Sequence, residues 1–145
     1  MRELPRQLSV DELAELFEGR TALVERLAQC DDPLTEADRV VGELSDDELK
    51  EALDAHPAIG AKTASARSAA EQGDDADPEV LAQLAELNEA YEQRNGFRFV
   101  TFVNRRPKAT VLAELRERIE RPREEELRRA TRELVAIARD RWQSG

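Results

Sequence analysis

The feature that most limits what this chain can become is its punctuation for helices, repeated from end to end. Ser9 stands three residues before Glu12, a capping-box spacing, and Leu13, Leu16 and Phe17 recur behind it at helical intervals. Thr21 opens a second candidate with Leu23, Val24 and Leu27 inward, and Thr35 precedes a third with Val40, Val41 and Leu44 inward. Ser45, Asp46, Asp47 and Glu48 supply a cap and then acids at the positive end of a fourth, whose stripe is Leu49 and Leu53. A small-residue helix is expected through "KTASARSAAEQ", closed by Gly73. Pro78 then sits at the first position of a longer one, with Val80, Leu84, Leu87 and Tyr91 on one face and Gly96 as its stop. Helix returns after Pro107, and a last one is expected from about Glu124 to Trp142. The exception is "FRFVTFV", residues 97–103, which is aromatic and β-branched and reads as a short extended segment without a partner strand. The expectation is one all-α domain over residues 1–145, a bundle of about seven to eight helices.

Charge narrows the partners. The chain carries 22 Lys and Arg against 32 Asp and Glu, a net charge of −10, so a nucleic acid or an anionic membrane would be repelled. A local basic cleft could still take one small anion. One cysteine, Cys30, excludes an internal disulfide, and with one histidine, His56, a structural zinc site is close to excluded. Cys30 reads as a small, partly buried residue at a helix end. The amino terminus has no apolar leader core and no window resembles a membrane span, so a cytoplasmic protein is expected. An apolar stripe on the first helices, if exposed, could make a homodimer.

Function is best sought where polar residues fall on apolar stripes. His56 follows Leu49 and Leu53 at +4 and +3, which continues a core-facing stripe to a helix end. Its ordinary reading is a buried imidazole satisfied by a carbonyl. Ser68, Glu71 and Gln72 share one face of the small-residue helix, with alanines leaving room beside it; their ordinary reading is a solvated face. Arg141 ends the stripe Leu127, Ala130, Leu134 and Ile137, where a guanidinium must find an anion or snorkel to water. Arg139 points about 200° away and should face solvent. An imidazole, a carboxylate and a guanidinium could converge on a small anionic ligand, and uncommitted peptide groups in residues 97–103 could read a flat amide-rich ring.

With those residues in view, the chain resembles the 2-oxo-4-hydroxy-4-carboxy-5-ureidoimidazoline (OHCU) decarboxylases. The matching stretches are "HPAIG" (56–60), "SAAEQ" (68–72), "LAELNEAYEQRNGFRFV" (84–100), "IARDR" (137–141) and the early "LFEG" (16–19). The resemblance implies an all-α fold and cofactor-free decarboxylation to (S)-allantoin in urate breakdown. It places His56, Glu71 and Arg141 in the catalytic positions. It places Pro57, Ser68, Gln72 and the backbone of Phe99, Val100, Thr101, Phe102 and Val103 against the substrate. Two residues depart from the pattern: Arg98 stands where many members carry proline, and Ala69 where some carry a larger polar residue. The competing reading is a helical adaptor or regulator, in which the polar stripe residues make a protein interface without catalysis.

Overall fold

A computed structural model describes residues 7–56, 78–104 and 106–144. Among these it contains seven α-helices and no strand. They are α1 (Val10–Phe17), α2 (Ala22–Leu27), α3 (Pro33–Glu43), α4 (Asp46–Ala55), α5 (Pro78–Asn95), α6 (Lys108–Arg118) and α7 (Arg123–Ser144). The small-residue helix expected between α4 and α5 lies outside the described residues.

Local chemistry sets most of the boundaries. In α1 the Ser9 hydroxyl accepts from the Glu12 N–H at 3.1 Å, and the Glu12 carboxylate accepts from the Ser9 N–H at 3.1 Å. Ser45 and Glu48 repeat this reciprocal cap on α4, at 2.9 and 3.2 Å. Each cap satisfies two N–H groups that the first turn would leave without partners. One start differs from expectation. The third helix begins at Pro33, not after Thr35, because proline gives up no needed N–H at a first helical position and Glu36 reaches back to the Asp32 N–H at 3.0 Å. Gly96 stops α5 with φ 80°, a left-handed conformation that glycine adopts without a side-chain clash.

The long α7 is the spine: α1, α3, α4 and α5 all pack on it, while α2 bridges α1, α3 and α4, and α6 lies against α5. Leu127, Ala130, Leu134, Ile137 and Arg141 are all buried along one stripe of α7, as their spacing predicts. Leu13, Leu16 and Phe17 of α1 and Leu23, Val24 and Leu27 of α2 also point into the core. The apolar stripe that suggested a homodimer is therefore interior, not surface. Arg139 corrects a second expectation. α3 crosses that side of α7, so Arg139 is half-buried and donates from Nε to the Leu34 carbonyl at 2.8 Å, with Nη2 3.3 Å from Asp38. Cys30 is half-buried and its thiol lies 3.6 Å from the Arg26 carbonyl.

Candidate active site

Three helix ends meet around His56. α4 stops there: the His56 N–H donates to the Leu53 carbonyl at 3.1 Å, and φ −81°, ψ 136° turn the chain out of the helix. The following proline disfavours a helical residue before it, which explains the stop. α1 stops at Glu18, whose φ of 64° is left-handed and uncommon for a residue with a side chain. Gly19 comes next, and a Cβ there would meet the Ala55 Cβ at 3.1 Å, so the ends of α1 and α4 approach closely. From the third direction, the last turn of α7 brings Arg141. Its Nη1 donates to the Leu16 carbonyl at 2.9 Å and its Nη2 pairs with the Glu18 carboxylate at 3.1 Å. A guanidinium thus closes the negative end of α1, where a cation is favoured.

This corner determines the protonation state of the imidazole. His56 is only 7% exposed, and its Nδ1 has no hydrogen-bond partner among the described residues. Burial, then the nearby Arg141 cation, push its pKa down from 6.5 to about 4; Glu18 pulls the other way and Arg98 adds to the depression. At neutral pH the ring is therefore uncharged and able to accept a proton. The ordinary imidazole value does not hold in this environment, because a cation costs too much beside a second cation in a dry corner.

The segment from Phe97 to Val103 runs without helix or strand hydrogen bonding, with Phe97, Phe99, Val100, Thr101 and Val103 buried. Its peptide groups are only half uncommitted. The Val100 carbonyl accepts from Arg118 Nη1 at 3.0 Å, and Arg106 holds the carbonyls of Phe102 and Val103 at 2.9 and 3.0 Å. By contrast, no N–H group from Phe99 to Val103 donates to an acceptor among the described residues. The expectation of free carbonyls is corrected at Val100, Phe102 and Val103, where arginine side chains take them; the N–H groups and the Phe99 and Thr101 carbonyls stay uncommitted among the described residues.

Beneath this segment Arg118 is completely buried. Its Nε donates to Glu126 Oε1 at 2.8 Å, the Tyr91 hydroxyl donates to the same oxygen at 2.7 Å, and its guanidinium lies 4.6 Å over the Phe99 ring. Tyr91 packs edge-on against both Phe97 and Phe99. The segment is thus fixed from below by a charged network and from the side by aromatic rings.

Of the sequence-derived site, His56, Arg141 and residues 99–103 are described; Pro57, Ser68, Glu71 and Gln72 lie outside the described residues. His56 and Arg141 come together at the same corner. Two polar residues of this corner were not singled out from the sequence as contacts, Glu18 and Arg98, and neither was Arg118 beneath residues 97–103. Glu18 has a visible signal, since an acid between a helical stripe and a glycine sits at a helix exit. A surface hollow of about 290 Å³ lies elsewhere, lined by Arg121, Glu125, Glu126, Arg128, Arg129 and Arg132. Arg132 and Arg141 are nine residues apart on α7, about 13 Å along its axis, so the hollow is a different place from this corner. Among the described residues no group of His, Cys, Asp and Glu is arranged to hold a metal, and no helix is long and apolar enough to cross a membrane.

A neutral buried imidazole and a buried guanidinium thus meet on an all-helical frame. A solved structure of OHCU decarboxylase in the presence of (S)-allantoin is similar in fold, with a TM-score of 0.76 and 23% identity over 90% of this chain and 94% of that one. A solved (S)-allantoin synthase gives a TM-score of 0.69 and 25% identity over 93% of this chain but 48% of that one, so this chain spans about half its length. No curated protein sequence matches the chain. The family model for OHCU decarboxylase matches residues 2–143, and the chain belongs to that family of carboxy-lyases of urate catabolism.

Proposed function

We propose that this chain converts 2-oxo-4-hydroxy-4-carboxy-5-ureidoimidazoline to (S)-allantoin and CO2 at the corner formed by His56 and Arg141, with Glu71 as the partner acid and no cofactor. The observation that carries the assignment of the corner is the convergence of a buried, uncharged imidazole and a buried guanidinium at three helix ends. The reaction needs somewhere for the electrons left by CO2, and the ring C=N beside the carboxylate-bearing carbon provides it. The protein must orient the substrate, exclude water and move protons.

In this reading Arg141 pairs with the anionic edge of the substrate, and the N–H groups of residues 99–103 hold the ring carbonyl and ureido oxygens. The imidazole accepts the proton of the substrate hydroxyl as the C–C bond breaks. The electron pair moves into the ring C=N, whose nitrogen takes a proton from solvent, giving an enolate whose oxygen becomes the carbonyl of allantoin. Delivery of a proton to the neighbouring carbon on one face then fixes the (S) centre. Pro57, Ser68 and Gln72 complete the substrate contacts.

The test uses freshly generated substrate and follows optical rotation. His56→Asn should bind ligand yet lose about 10²–10⁴-fold in rate, the usual worth of general acid–base help. A variant that forms (S)-allantoin at the wild-type rate removes His56 from the mechanism. Wild-type protein that leaves the spontaneous, racemic outcome unchanged would instead favour the adaptor reading.

A further inference from the structure

We propose that Arg98 is a positioning residue for His56: its guanidinium fixes the last turn of α4 and locks that turn in register with the extended segment. The inference rests on His56 being the acid–base group.

The contacts are direct. Arg98 Nη1 donates to the His56 carbonyl at 2.6 Å and to the Asp54 carbonyl at 3.1 Å. The Arg98 N–H donates to Asp54 Oδ1 at 3.0 Å, and Nε donates to Glu92 Oε1 at 3.1 Å. The last carbonyls of any helix lack internal partners, and a cation there is favoured by the helix dipole. Here the cation does more than satisfy them. The His56 N–H is held by Leu53, and its carbonyl is held by Arg98, so the residue's main chain is anchored on both sides of the Cα that carries the imidazole. Asp54 also accepts from Lys50 at 2.7 Å, and Glu92 belongs to α5. One fork therefore ties α4, α5 and residues 97–103 together.

The choice of residue matters because a residue without a guanidinium lacks the fork, and proline would lack the backbone N–H as well. None of the four contacts would exist with proline. Lysine would offer a point charge able to reach one carbonyl but not the planar set of partners. This chain therefore orients its histidine by a device that a proline at the position cannot provide.

Arg98→Met keeps the length of the side chain and removes the fork. A misplacement of about 1 Å costs on the order of 10²-fold in rate, so kcat should fall about 10–100-fold while KM stays within about threefold. Arg98→Lys should recover part of that loss. An independent readout exists because His56 is the chain's sole histidine and gives one imidazole signal in a proton NMR titration. The charged groups bearing on the ring are Arg141 of α7, Glu18 beyond α1 and Arg98 itself, so removing Arg98 should raise the titration midpoint and Arg98→Lys should move it less.

Folded Arg98→Met with wild-type kcat overturns the inference, as does a raised KM with kcat unchanged, which would make Arg98 a substrate contact. If Arg98→Met does not fold, Arg98→Lys decides: reduced kcat supports the fork, and wild-type kcat overturns it. His56→Asn is measured alongside. An active His56→Asn sinks the catalytic reading and this inference together; an inactive one with wild-type kcat in Arg98→Met sinks only the inference.

Discussion

Glu126→Gln tests the buried network beneath the substrate-facing segment. Arg118 and Glu126 are both fully buried, 2.8 Å apart. The substitution keeps the shape of the side chain and its acceptor for the Tyr91 hydroxyl, but deletes the charge that compensates Arg118. What remains near the guanidinium is Glu114, at 3.4 Å and partly solvated. Removing one member of a buried pair costs about 3–5 kcal/mol, because the other is left without a counter-charge in a medium that solvates it poorly. A domain of this size holds about 5–15 kcal/mol in all, so the variant should fold but sit near its margin. At about 2–4 °C per kcal/mol, thermal melting followed by helical circular dichroism should show a drop of roughly 6–20 °C.

The companion variant separates the charge effect from packing. Arg118 Nη2 and Glu126 Oε2 lack partners among the described residues, so the pair is not fully satisfied. Replacing both ends, Arg118→Met with Glu126→Leu, should therefore regain most of the lost stability. It should not regain activity, since the Val100 carbonyl loses its donor. A single Glu126→Gln that melts within about 2 °C of wild type would refute the reasoning, because the pair would then behave like a solvent-exposed ion pair worth at most about 1 kcal/mol.

The buried histidine should also show itself in stability against pH. Its folded pKa is lowered from 6.5 to about 4, so between these values the unfolded chain binds a proton that the folded chain does not. Stability is complete above pH 6.5 and falls by about 3 kcal/mol as pH drops to 4. Melting curves of wild type and His56→Asn should run parallel above pH 6.5 and approach or cross below it; parallel curves throughout would contradict the assigned environment. Ser45→Ala removes one half of the α4 cap and should cost about 1 kcal/mol, read as a small fall in the urea midpoint, with kcat little changed because the cap lies at the other end of α4 from His56.

The sequence displays the frame more clearly than the site. Caps and stripes are local: Ser9 with Glu12, Ser45 with Glu48 and the α7 stripe require only neighbours within a turn or two, so their reading survives folding. The start of α3 lies three residues before the expected one because Pro33 and Thr35 both look like openings, and the Asp32 N–H contact to Glu36 decides between them. The corner around His56 is different. It depends on contacts across more than a hundred residues, such as Arg141 to Leu16, and nothing in either local pattern announces the other. Arg139 illustrates the same limit: rotation about α7 gives its direction correctly, but only the packing of α3 shows that this direction is not solvent. The carbonyls of residues 100, 102 and 103 look free in the sequence because no helical ladder claims them, and arginine side chains take them instead.

The uncharged imidazole makes physical sense once the charge of the proposed substrate is followed through the reaction. In the free protein Arg141 is balanced by Glu18, and the ring is held neutral by burial and by that guanidinium. A substrate carboxylate arriving at Arg141 brings one negative charge into the corner, which weakens the cation's grip on the imidazole and raises its affinity for a proton just when the substrate hydroxyl is beside it. As CO2 leaves, that negative charge moves into the ring and its neighbours, still within reach of the guanidinium, and the proton held by His56 becomes available to neutralise it. The product is uncharged, so its hold on Arg141 is weaker than the substrate's, and Glu18 is there to take the guanidinium back. In the proposed reaction, the Arg141–Glu18 pair would therefore favour entry of an anion and departure of a neutral ring.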